Sequence, residues 1–171
     1  MADSKRRDAF APPQNRSEHG PPERPKGYQY ARMGKQSIDG ATPDIKVVGL
    51  VTGLKEHRVA WVLGERLGNG FRKEEDLVLE ETDESFHFSI FSGSYRHRSL
   101  RLIRNKSYVA GEQNSFILPE LSNIDYLLTL EGNNADELAK EICALLQDDE
   151  NIQFARQLET KKIRSRENLI F

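Results

Sequence analysis

The chain has 171 residues, of which 37% are hydrophobic and 30% charged, with a formal net charge of −2. That length fits one domain with a real core, and the weakly acidic balance differs from the strongly basic one of most nucleic-acid binders. A single cysteine, Cys143, excludes an intrachain disulfide, and no apolar run approaches membrane-spanning length.

Residues 1–43 differ in kind from the rest. They hold six of the seven prolines, namely Pro12, Pro13, Pro21, Pro22, Pro25 and Pro43, and carry a net charge of +3. Their few apolar residues lack a period, so burial cannot offset the entropy of ordering them, and a disordered, weakly basic arm is expected. The remainder, 44–171, is an acidic domain of net charge −5. Lys5-Arg6-Arg7 and Phe10 loosely resemble a twin-arginine export signal, but Pro12-Pro13 stands where its apolar stretch belongs. Met33-Gly34-Lys35 offers a second account of the arm, in which translation would start at Met33. A cytoplasmic protein is expected.

From Asp44 the periodicity becomes legible. Residues 45–51 are rich in Val and Ile and predict a buried strand, and Thr52 is placed to cap the helix after it. The spacing of Val59, Val62, Leu63 and Leu67 predicts that helix over 54–67, with Trp61 as a core anchor beside the stripe. Gly68-Asn69-Gly70 stops it. Leu77-Val78-Leu79 leads into an acidic turn, after which Phe86, Phe88 and Ile90 alternate with His87, Ser89 and Phe91 over one strand, closed by a turn at Gly93-Ser94. Strands come next over 100–103, briefly over 116–118, and over 124–130. Asn134 and Glu137 have capping-box spacing, and Leu138, Ile142 and Leu145 then share a helical face. Cys143 reads as a small buried residue of that helix. Ile152, Phe154 and Leu158 alternate in a last strand. The order β-α-β-β-β-β-α-β predicts an α+β fold. Its sheet is mostly antiparallel with two helices on one face, a split βαβ plan with an added hairpin.

Pro119 lies between two of these strands and lacks the amide a central strand needs. The bland account makes Leu118-Pro119-Glu120 a strand end and Ile124-Asp125 the next strand start; the functional one makes them a recognition site. These residues, with Tyr126, resemble the motif of the uncharacterised bacterial IPExxVDY family. Leu118-Pro119-Glu120 stands for I-P-E and Ile124-Asp125-Tyr126 for V-D-Y, with one more residue between them than the family name spells. The end of the chain, Glu167-Asn168-Leu169-Ile170-Phe171, also resembles this family, so the likeness covers roughly 44–171. The resemblance brings no catalytic residues with it.

Candidate chemistry is sparse. His87 and His97, with Asp83 near, would offer three metal ligands if two strands brought them together; surface histidines are the ordinary alternative. Gly64, Gly68 and Gly70 end a helix, whereas a phosphate cradle opens one. No nucleophile elbow or phosphate-loop motif occurs. No catalytic residue, cofactor or metal site is expected. Arg96, Arg98, Arg101, Arg104 and Lys106, flanked by Tyr95 and Tyr108, form one basic segment; Lys161, Lys162, Arg164 and Arg166 form another. On one surface they would neutralise phosphates, unless carboxylates of 74–84 pair with them across strands. Leu169, Ile170 and Phe171 either dock on the body or are offered to a groove of another protein. The reading is a non-catalytic interaction module binding a protein partner or itself, without membrane attachment. RNA or ribosome association through 95–108 and 161–166, and a small-ligand regulatory module, are the alternatives.

Overall fold

A computed structural model describes residues 44–81, 84–108 and 115–171. The arm, 1–43, and Asp83 lie outside them. The elements are β1 (Ile45–Val51), α1 (Glu56–Leu67), β2 (Arg72–Lys73), β3 (Leu77–Glu81), β4 (Glu84–Phe88), β5 (Ile90–Tyr95), β6 (Arg98–Arg104), β7 (Tyr126–Glu131), α2 (Ala135–Gln147) and β8 (Phe154–Leu158). One six-stranded sheet has the order β2-β5-β6-β7-β1-β8, and β3 and β4 form a separate hairpin. All pairings are antiparallel. Because β7 and β8 both run against β1 and are joined by α2, they form a split β-α-β unit around the first strand. The fold is α+β, with both helices on one sheet face.

Alternation along the central strands divides the interior in two. Val48 and Leu50 of β1, Leu100 and Leu102 of β6, and Tyr126, Leu128 and Leu130 of β7 meet the helices. Val47, Ile103 and Leu127 face the other way, into a second core built with Phe86 and Phe88 of the hairpin. Ile117, Leu118, Ile163 and Leu169 complete it. A sheet buried on both faces explains why β1 and β7 read as continuous apolar runs.

Several local expectations need correction. α1 begins at Glu56, and its first turn is held by the Lys55 carbonyl, which accepts from the Arg58 and Val59 amides at 2.9 and 3.0 Å. Thr52 instead makes a turn of its own, donating to the Asn151 carbonyl at 2.6 Å and accepting from the Leu54 amide at 3.2 Å. Asn134 does not cap α2 with its side chain. It sits at φ 64°, where an amide cannot reach back to the first turn, while its carbonyl accepts from the Leu138 amide. The alternating run 86–91 is two strands that part at buried Ser89, one in the hairpin and one in the main sheet. Gly93 is not a turn but lies within β5; a Cβ there would stand 2.9 Å from the Phe71 ring, which packs across the strand at that point. The turn is at Arg96 and His97, both at positive φ, as a two-residue hairpin with right-handed twist requires. Phe116 makes a single bridge to Lys106 in place of a strand. Leu145 and Phe154 are 37% and 42% exposed, so neither belongs to the core stripe assigned to it.

Candidate functional site

The 118–126 segment is built around a side chain that composition and spacing did not single out. Asn105, fully buried just after β6, donates from Nδ2 to the carbonyls of Leu121 and Ile124, both at 2.9 Å. Its Oδ1 accepts from the Leu118 amide at 2.9 Å. Its backbone also bonds to Ile117 and Asp125. This one amide therefore shapes the loop, whose Pro119–Leu121 stretch is a 3-10 turn with proline at its start. The expected strand end is in fact this turn, and β7 begins only at Tyr126.

Each polar residue of the motif is spent inside the protein. The Asp125 carboxylate accepts from the Thr52 amide at 3.0 Å, and the Tyr126 hydroxyl donates to the Leu54 carbonyl at 2.9 Å. Both bonds hold the connection between β1 and α1. Burial pushes the Tyr126 phenol up to about 12. Glu120 points the other way: its two oxygens accept from the Ser165 amide at 2.9 Å and from the Ser165 hydroxyl at 2.6 Å. Those bonds, the hydroxyl first, bring its carboxyl down to about 2. Leu118 and Ile124 are buried.

The Glu120 clamp makes a pH prediction. Its folded pKa lies below the usual 4.5, so its contribution is present above about pH 4.5 and is lost as the pH falls toward 2. Melting curves of the parent and of Glu120→Gln should differ at pH 7 and converge over that window. A gap unchanged at pH 2.5 would show that the charge of Glu120 does not hold Ser165.

The tail lies against this segment. Asn168 donates to the Ile117 carbonyl at 2.9 Å, Leu169 is buried in the second core, and Ile170 is exposed. Phe171 is half-buried, with the Arg101 guanidinium 5.4 Å from its ring centroid and donating to its carbonyl at 3.2 Å.

The basic residues do not converge. Arg98 and Arg104 lie on the helix-facing side of β6 and Arg101 on the opposite side, by the alternation that buries Leu100 and Leu102. Arg96 meets Glu141 of α2 at 2.7 Å, Arg104 meets Glu56 of α1 at 3.4 Å, and Arg101 lies 3.7 Å from Glu131. Their partners among the described residues thus come from the helices and β7, not from the acidic run 74–84. Lys106, Lys161, Arg164 and Arg166 are exposed, and Lys162 pairs with Glu159 at 2.6 Å.

His87 lies in β4 opposite Val78, with its ring 6.1 Å from that of Tyr108, whereas His97 is in the β5–β6 turn. The two belong to different hairpins. No group of three or more metal-ligating side chains occurs among the described residues. Asp76 accepts from Lys73 and Tyr108, and its hydrogen bond pushes the Tyr108 phenol up to about 12, the opposite of an activated base. Cys143 is buried, which raises its thiol. Among the described residues, one surface hollow is bordered by Asp44, Lys46, Glu131 and Asp136, and another by Arg72, Ser92, Ser94, Ser99 and Arg101.

Trp61 is not the core anchor that its place beside the apolar stripe predicts. It is 57% exposed on the outer face of α1, with the Arg58 guanidinium 5.3 Å from its ring centroid. A helical wheel would have found it: at about 100° per residue, Trp61 falls roughly 160° from Leu63, the centre of the buried stripe. No helix of the described residues is long and apolar enough to cross a membrane. No protein-family model, curated protein or solved structure matches the chain.

Proposed function

We propose that the chain is a non-catalytic interaction module that binds a protein partner, or a second copy of itself, through the outer face of α1 with Trp61 as anchor. The observation that carries this reading is the exposure of Trp61 on a helix whose packing is complete without it. Val59, Ala60, Val62, Leu63 and Leu67 already bury the inward stripe. A half-exposed indole stacked by arginine combines the two residue types most enriched at the energetic centres of protein interfaces. His57 and Glu65, one turn either side, are exposed and supply a polar rim. RNA association is the weaker reading, because the arginines of 96–104 lie on two sheet faces and three of them meet carboxylates. A cytoplasmic setting belongs to the same proposal and suits a chain whose one cysteine is free and buried.

Trp61→Ala tests it. As a surface change it should alter stability by about 0.5 kcal/mol or less. Affinity capture from the native cell should lose its salt-resistant protein band, or the purified protein its self-association. A variant that keeps both interactions, or that melts many degrees lower, would return Trp61 to a structural role.

A further inference from the structure

One end of the sheet face opposite the helices carries polar side chains in place of the second core. The cross-strand register puts Arg72 of β2, Ser92 of β5 and Arg101 of β6 in one row, with Ser94 opposite Ser99 in the next. Partners in register share a face, so all five side chains leave the sheet on the same side. With strands about 4.8 Å apart, the two arginines stand roughly 10 Å from each other with a serine between them, and the second serine row lies about 7 Å further along. These five residues border one surface hollow. Arg72, Ser94 and Ser99 are exposed. The guanidinium of Arg101 is held in place by the ring and carbonyl of Phe171.

We propose that this hollow binds the phosphate group of a small phosphomonoester. Two guanidinium forks and three hydroxyls supply more donors than a planar carboxylate can use, and they match a tetrahedral anion with three terminal oxygens. Thr129 continues the row beyond Arg101, but its hydroxyl is turned to the Arg101 carbonyl at 3.5 Å, which leaves the donors concentrated around Ser92. Glu74 borders the hollow and Glu131 lies 3.7 Å from Arg101, so carboxylates offset the two guanidiniums and recognition there rests on hydrogen-bond geometry more than on net charge. A nucleic-acid strand needs a track of cations, and this site offers a single point. The inference is independent of the Trp61 surface, which lies on the other side of the sheet.

Backbone amide NMR of the full chain, titrated with inorganic phosphate at low ionic strength against matched chloride, tests the proposal. Saturable shifts are expected at Ser92, Ser94, Ser99 and Arg101, with millimolar affinity. Arg72→Gln should weaken binding about tenfold, the loss of one charge-assisted contact, and the pair Ser94→Ala and Ser99→Ala should weaken it without moving distant amides. Arg101 is left intact because it also holds Phe171. Shifts that fail to saturate, that chloride reproduces, or that survive Arg72→Gln would overturn the site. A single-stranded oligonucleotide that binds there while phosphate does not would overturn it in favour of a polyanion surface.

Discussion

Replacing Asn105 with alanine should destabilise the domain by roughly 2–6 kcal/mol, the largest loss expected from a single side chain here. The change leaves the Leu118 amide and the Ile124 carbonyl without their partner in the interior, while the Leu121 carbonyl keeps the Ile124 amide as a donor. Each such orphaned group costs about 1–3 kcal/mol. Aspartate is no remedy, because a carboxylate would face two carbonyl oxygens. Urea unfolding should show the midpoint falling sharply for both variants. A loss below about 1 kcal/mol for alanine would mean that water takes over all three bonds.

Removing residues 169–171 should cost about 3–5 kcal/mol. Leu169 is buried and Phe171 half-buried in the second core, and a fully buried leucine alone contributes about 1.5–3 kcal/mol. Arg101 also loses the ring and carbonyl that hold it. For a domain of this size the melting temperature should drop by about 10 °C or more. An unchanged melting curve with loss of a binding partner would instead make the tail a peptide for another protein's groove.

The parts of the fold legible in the sequence are those whose pattern has one cause. The stripes of α1 and α2 and the apolar runs of β1 and β7 come directly from burial, and Gly68 at φ 73° ends α1 where the Gly-Asn-Gly stop predicts. Where two causes act on one residue, the pattern misleads. Phe86, Phe88 and Ile90 all face the second core, so their alternation runs unbroken through Ser89 although the backbone changes sheet there. β2 is two exposed residues long and leaves no period to detect. Pairings between distant segments, such as Glu120 with Ser165 or Arg104 with Glu56, depend on topology that spacing does not encode. Asn105 is invisible in the sequence for the same reason: a lone asparagine after a strand has the composition of a turn, and only the loop folded around it reveals its role.

The place of β1 in the sheet has a consequence for biosynthesis. The first strand lies between β7 and the edge strand β8, and both partners are distant in sequence: Val48 lies opposite Leu128 on one side and Gln157 on the other. At about 5–20 residues per second, the chain from Val48 to Leu128, a separation of 128 − 48 = 80 positions, takes roughly 4–16 s to synthesise. Throughout that interval the segment Ile-Lys-Val-Val-Gly-Leu-Val has neither neighbour, and Lys46 is its one charge. The nascent chain thus passes through a window in which its stickiest heptad depends on chaperones, or on that lysine, to stay out of aggregates.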